Sequence, residues 1–258
     1  MYYRPRLIPC LSIIKQDLVK TTKFRDPRYL GDPINAVSIF NEKGVDELTI
    51  LDITATSEKR GPQLDYLKAI ASEAFMPLSY GGGITTINEI EEIFHIGYEK
   101  VIINTAFYEN PDLIKKAAAL AGSQSIVVSI DVKNEMMGKK RCYIGDGKIK
   151  TGKDPVTLAQ KAEALGAGEI LLNSITHDGM MGGYDLKLVK AVTQAVTIPV
   201  IACGGAGTIL DFKSVLEEGG AHAAAAGSLF VYYGSEKAVL INAPSENELT
   251  EIGIYNDL

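Results

Sequence analysis

PLSYGGGITTINEIEEIFHIG (residues 77–97) and PVIACGGAGTILDFKSVLEEG (residues 199–219) follow one pattern. Each begins with proline and a short apolar run, passes through a glycine cluster and continues into an amphipathic stretch that stops at glycine. Pro77, Gly82, Gly83 and Gly97 recur 122 positions later as Pro199, Gly204, Gly205 and Gly219, and Glu47 recurs at that offset as Glu169. In a chain of 258 residues this offset is close to half the length, as expected for two similar halves. Chance recurrence of glycine and proline is the competing explanation, and five matches at one offset weigh against it.

Outward from these copies, short apolar runs alternate with longer amphipathic ones along the whole chain. The runs Leu7–Ile14, Leu48–Ile53, Pro77–Tyr80, Val101–Asn104, Ile126–Asp131, Glu169–Asn173, Pro199–Cys203 and Ala223–Gly227 read as strands. They are continuously apolar, as strands buried on both faces are. The last is alanine-rich, weak by propensity, and placed partly by the repeat. Asp32-Pro33, Asn110-Pro111 and Asp154-Pro155 each offer a capping side chain followed by proline, Thr86 and Glu89 have capping-box spacing, and Gly44, Gly97, Gly122, Gly166 and Gly219 mark helix ends. Eight strand–helix units in two similar fours predict an α/β fold, a closed (β/α)8 barrel occupying residues 1–258 as one domain. An open doubly wound sheet is the alternative. A hairpin at about 132–152, turning at Gly145-Asp146-Gly147, interrupts the pattern on the face where barrel enzymes build their sites, and reads as a lid or a decorated loop.

Composition narrows the function classes. Hydrophobic residues at 46% and charged residues at 22% are ordinary for a globular chain, and a net charge of −6 argues against a nucleic-acid footprint. No apolar run approaches the roughly 18 residues of a membrane span, and the N-terminus lacks a signal-peptide core. Cys10, Cys142 and Cys203 are too few and scattered for a disulfide frame or structural zinc, and His95, His177 and His222 have no metal spacing. The reading is a cytoplasmic protein with no metal and no cofactor. Cys10 and Cys203 belong in the core, and Cys142 is expected at the surface of the hairpin.

Candidate chemistry gathers at strand ends. Gly82 and Gly83, followed by Asn104 and Thr105, form one cluster, and Gly204 and Gly205, followed by Gly227 and Ser228, form its counterpart. Glycines that let backbone N–H groups approach an anion suggest one phosphate site per half and a ligand phosphorylated at both ends; each cluster alone is also what a tight turn needs. Asp52, Asp131 and Asp178 close strands or the loops after them, where a carboxylate can act as acid or base. Gly179 beside Asp178 permits close approach. Arg6, Glu47, Lys100 and Glu169 stand at strand starts and can meet as a ring of ion pairs at the opposite end, as a plug or as a gate. No Cys-His-acid cluster is evident, so the chain shows no means of hydrolysing glutamine itself.

The stretches LIPCL, VDELTILDITATSE, YGGGI, VIINTA, GSQSIVVSIDVK, GAGEILLNS, HDGMMGGYDL, IPVIACGGAG and GSLF resemble, in order, the cyclase subunit of imidazole glycerol phosphate synthase, the HisF family. The likeness runs from Leu7 to about Gly234. It implies a (β/α)8 barrel with two phosphate sites, and a HisH-type glutaminase docked at the N-terminal face that sends ammonia through the barrel. It implies that Arg6, Glu47, Lys100 and Glu169 form the ammonia gate. Lys20, Asp52, Asn104, Asp131, Asp178 and Ser228 match positions that hold substrate or do chemistry, and Asp131 matches one of two essential aspartates. The other should follow Cys10-Leu11, where this chain has Ser12. A hydroxyl without an activating base is no substitute for a carboxylate as a proton carrier near neutral pH. Val19-Lys20-Thr21 replaces Val-Lys-Gly, a milder departure.

The segment LVKTTKFRDPRYLGDPINAVSIFNEK resembles HisF-like paralogues that accompany surface-polysaccharide clusters. These work with a HisH-like glutaminase and an ATP-dependent sugar amidotransferase to make acetamidino sugars. That resemblance implies an ammonia-conveying subunit that tolerates Ser12. The alternatives are a true cyclase of histidine biosynthesis, a non-catalytic bisphosphate-binding scaffold, and a sugar-phosphate isomerase on a related barrel, which also wants an aspartate at position 12.

Overall fold

A computed structural model of the protein describes residues 4–255; the first three and last three residues of the expected domain lie outside the described residues. Eight parallel strands close on themselves: β1 (Arg6–Ile14), β2 (Leu48–Asp52), β3 (Leu78–Gly81), β4 (Lys100–Ile103), β5 (Ile126–Asn134), β6 (Glu169–Ser174), β7 (Val200–Cys203) and β8 (Ala223–Ala226). Each pairs with its neighbours in sequence, β5 pairs with β6, and β8 returns to β1 with Arg6 opposite Ala223. The sheet is a closed (β/α)8 barrel. Closure leaves β1 and β5 facing each other across the barrel.

Alternation along each strand separates two cores. Ile8 and Cys10 of β1, Ile102, Val127, Leu171, Ile201, Cys203, Ala223 and Ala225 form an inner cluster, whereas Leu7, Leu11, Ile13, Ala224 and Ala226 belong to the outer one beneath the helices. Four consecutive alanines therefore make a strand because both faces of β8 are buried between paired neighbours; burial and pairing override their poor β propensity.

The outer layer contains α1 (Pro33–Lys43), α2 (Leu64–Glu73), α3 (Ile87–Ile96), α4 (Thr105–Glu109), α5 (Asp112–Ala121), α6 (Pro155–Ala164), α7 (Leu186–Thr193), α8 (Ile209–Glu217), α9 (Ser228–Val231) and α10 (Glu246–Glu251). Asp32 and Asp154 cap α1 and α6 before their prolines, and Thr86 with Glu89 closes a capping box on α3. Asn110 does not cap a helix start: it closes the short α4, and α5 begins after Pro111.

Two hairpins rise from the C-terminal ends of opposite strands. Residues 17–22 and 25–31 pair antiparallel beyond β1 (Ser12 opposite Val19), and residues 140–144 with 149–150 extend β5 (Asp131 opposite Tyr143). Cys142 is buried rather than exposed, because it stands opposite Val132 and joins the outer cluster beneath the helices; desolvation pushes its thiol up to about 12. No helix among the described residues is long and apolar enough to cross a membrane.

Candidate functional site at the two mouths of the barrel

The N-terminal mouth holds the four strand-start charges in one closed circuit. Arg6 donates to Glu47 Oε2 at 2.6 Å and to Glu169 Oε1 at 2.7 Å, and Lys100 Nζ lies 2.9 Å from Glu47 and 3.0 Å from Glu169. They meet because β1, β2, β4 and β6 all start at this end with these residues facing inward. Burial works against the charge on Arg6, but Glu169 and Glu47 outweigh it and its pKa is raised. Formal charge cancels within the ring, and this makes its burial tolerable. Above it lies the inner cluster, in which Cys10, Cys203, Ala223 and Ala225 are small side chains.

At the C-terminal mouth Asp131 on β5 and Ser12 on β1 face each other from opposite walls. Asp131 is 9% exposed. Desolvation raises its pKa to about 7, repulsion from Asp146 and Asp178 adds to this, and the hydrogen bond from Ser129 Oγ (3.2 Å) opposes it. A carboxyl that exchanges its proton near neutrality suits general acid–base work. Ser12 is half-buried, and no base is hydrogen-bonded to its hydroxyl among the described residues.

The other candidates fall into distinct roles. Asp178 is held by Lys20 Nζ at 2.6 Å, Thr21 Oγ1 at 3.2 Å and the Phe24 N–H at 3.3 Å, so it pins the first hairpin over the mouth. Gly179 has φ +71, and a Cβ there would lie 2.5 Å from the Thr21 carbonyl oxygen, so the hairpin's own backbone makes the close approach. Asp52 accepts two bonds from Arg60, at 2.9 and 3.2 Å, and further bonds from the N–H groups of Thr54 and Ala55. Its carboxylate organises the loop after β2. Asn104 donates to the Ser129 carbonyl at 3.0 Å, and Thr105 Oγ1 receives the Gly145 N–H at 3.2 Å, anchoring the second hairpin. The hairpins meet above the mouth, where a Cβ on Gly147 would come within 2.9 Å of the Phe24 ring.

The glycine clusters reveal their repeat in three dimensions. A Cβ on Gly82 would sit 2.5 Å from the Asp52 carbonyl and one on Gly83 2.3 Å from the Arg60 carbonyl. Correspondingly, a Cβ on Gly204 would sit 2.7 Å from the Ser174 carbonyl oxygen and one on Gly205 2.2 Å from the Gly183 carbonyl oxygen. In each half the cluster lets the preceding loop fold tightly across it. The helices that follow, α3 and α8, are closed by Glu89 and Asp211 of their own capping boxes. The short helices one unit later, α4 and α9, have no side-chain cap, and Asn104 and Gly227 precede them. Their N-terminal N–H groups are the open ones near the mouth. Lys20 passes across Gly227, whose Cβ would be 3.0 Å from Lys20 Cε, and Ser228 Oγ is buried without a hydrogen-bond partner among the described residues.

Both hairpins are basic. Residues 15–31 carry five lysines and arginines against two aspartates, and residues 133–153 carry seven against two acids, in a chain of net charge −6. Charge balance along the whole chain hides this local field, and only pairing of the hairpins with β1 and β5 brings the two segments to one mouth. Arg60, Ser129 and Asn173 are site residues that the motifs did not single out; Asn173 had the same signal as Asp131, a polar residue closing an apolar strand. No group of three or more His, Cys, Asp or Glu able to hold a metal occurs among the described residues.

Residues 6–236 match the family described as histidine biosynthesis protein. A Leptospira interrogans protein provisionally named imidazole glycerol phosphate synthase subunit HisF is 46% identical over 95% of this chain and 97% of its own length. A Pseudomonas aeruginosa protein provisionally named as subunit hisF2 is 47% identical over 95% and 98%. The imidazole glycerol phosphate synthase subunit HisF of Alkaliphilus metalliredigens is 44% identical over 88% and 90%. The chain therefore belongs to the histidine-biosynthesis protein family, as a HisF-like barrel subunit of the imidazole glycerol phosphate synthase type.

Proposed function

We propose that this barrel receives ammonia from a HisH-type glutaminase at its N-terminal face and passes it to the C-terminal mouth. There an ATP-dependent sugar amidotransferase uses it for an acetamidino modification in surface-polysaccharide biosynthesis. The observation that carries this reading is the combination of an intact charge ring at one mouth with Ser12 facing Asp131 at the other. The ring has no net charge, so it offers a neutral passenger an opening wherever one pair parts. The basic hairpins and the buried Ser228 support a phosphorylated ligand at the exit. Cyclisation wants two opposed carboxylates, one holding and one accepting a proton; here one wall offers only a hydroxyl.

A true cyclase is the second reading, favoured by Asp131, whose pKa of about 7 suits proton transfer. The purified protein supplied with the histidine-pathway ribonucleotide and ammonium salt separates the two. The proposal expects negligible imidazole glycerol phosphate from the parent and a gain in Ser12→Asp. Robust formation by the parent defeats it. In the complex with glutaminase and acceptor enzyme, 15N from the glutamine amide should reach the sugar, and Lys100→Met should change that yield; an unchanged yield favours the scaffold reading.

A further inference from the structure

Four extensions of the C-terminal mouth touch one another and make a continuous crown around it. Gly147 of the hairpin on β5 lies against the Phe24 ring of the hairpin on β1. Arg28 of that first hairpin stands over the Tyr232 ring, 5.5 Å from its centroid, and donates to the Lys237 carbonyl at 3.3 Å. Both partners belong to a third hairpin after α9, in which residues 232–233 pair with 238–239. Lys237 Nζ in turn donates to the Gly179 carbonyl at 3.4 Å, in the loop after β6. Large apolar side chains stand in water on this crown. Tyr29, Met136, Met137, Ile149, Met180 and Tyr233 are all exposed, Met136 and Met137 at 88% and 92%. They contribute to no core, and such a gathering of exposed apolar groups marks a contact surface. The charge around them has one dominant sign: eight lysines and arginines are exposed on the hairpins of residues 15–31 and 133–153, against two aspartates.

We propose that this crown is the docking surface for the enzyme that consumes the ammonia: a protein whose contacting face is apolar at its centre and edged with carboxylates, seated over the exit. This rests on the reading that the barrel conveys ammonia. Charge chooses the occupant. Two copies meeting by this face about a two-fold axis would set basic hairpin against basic hairpin, so the surface repels itself. An anionic membrane would match the charge but would stop the exit against a polar passenger. An acidic protein face is drawn to the same field and leaves room for an acceptor site above the mouth. Methionine suits the centre of such a contact, because its unbranched, polarizable side chain repacks against a partner. The chemistry needs the seal. Ammonia that escapes into neutral water takes up a proton, and ammonium has no lone pair with which to attack an acceptor.

The test compares the parent with the double variant Met136→Asp, Met137→Asp, whose two positions already stand in water and lose no packing. Binding of the ATP-dependent sugar amidotransferase to the barrel–glutaminase complex is measured by interferometry. The affinity should fall about tenfold or more in the double variant, as the loss of central interface contacts does. In the parent it should fall as salt is raised, because the rim is charged. The same complex is then given glutamine labelled with 15N in its amide and an excess of unlabelled ammonium salt. The parent should place mostly 15N in the sugar. The double variant should place mostly unlabelled nitrogen there, while glutamine hydrolysis and the acceptor enzyme's use of ammonium salt stay as in the parent. Unchanged affinity in the double variant overturns the proposal, as does a parent that binds no acceptor enzyme. So does a parent that self-associates and becomes monomeric in the double variant, or one that co-sediments with phosphatidylglycerol vesicles where the double variant does not. A parent that docks the acceptor enzyme through Met136 and Met137 yet yields unlabelled sugar leaves the surface standing and refutes ammonia conveyance, so the two readings fail separately.

Discussion

Glu47 is the member of the ring whose loss the structure makes most informative. It is 3% exposed, and its Oε2 alone receives both Arg6, at 2.6 Å, and Lys100, at 2.9 Å. Glu47→Gln keeps the shape and removes the charge, which leaves two cations sharing Glu169. Orphaning a buried charge costs about 3–5 kcal/mol. The side chains of Arg6 and Lys100 are 27% and 14% exposed, so water relieves part of this and about 2–3 kcal/mol is expected. For a domain of this size that corresponds to a fall in Tm of about 4–12 °C. Urea and thermal unfolding would read it in the single variant, in Lys100→Met and in the double variant. The double variant is neutral again and leaves Arg6 on Glu169, so it should recover about 1–2 kcal/mol relative to the sum of the singles. Strict additivity, or a Glu47→Gln variant within about 0.5 kcal/mol of the parent, would refute the idea that these four charges act as one unit.

Asp178→Asn should release the hairpin of residues 17–31, because Lys20 loses its 2.6 Å partner; limited proteolysis at the turn near Lys23 should accelerate, and unchanged cleavage would show that other contacts hold the hairpin. Asp131 makes stability depend on pH. Folded, it holds its proton up to about 7, because burial disfavours the carboxylate, against about 3.9 unfolded. Between those values the folded state binds more protons, so stability falls as pH rises and the loss is complete above about 7. Asp131→Asn should therefore match the parent near pH 4 and exceed it by a few kcal/mol at about pH 8, since each tenfold change in proton affinity is worth about 1.4 kcal/mol; a difference in urea midpoint that does not vary with pH contradicts this.

Much of the architecture was legible because its causes are local. The eight expected runs became the eight barrel strands with ends shifted by a residue or a few, since continuous apolarity and the helix caps at Asp32, Thr86 and Asp154 act within a turn or two of chain. The exceptions also have local explanations. The strands at residues 17–22 and 25–31 carry charges and Pro27 and are not among the expected strands; they pair as a hairpin at the barrel rim, where exposed charge and a proline without an N–H are tolerated. Cys142 reads as surface until its strand is folded back onto β5.

The candidate site divides in the same way. Residue identity alone set the repeat of glycines 122 positions apart and put four charges at strand starts, and the family resemblance marked Ser12 as standing where an acid is wanted. Only barrel closure decided that those charges meet as one circuit of ion pairs, that Asp178 is engaged by Lys20, and that Asn173 and Ser228 have unmet hydrogen-bonding capacity among the described residues, whereas Arg60 reaches Asp52 within the loop that follows β2. The reason is range. A cap or an apolar period is set by neighbours in the chain, whereas the partners of the ring charges and of Asp178 lie 41 to 163 residues away and are chosen by the register of the closed sheet.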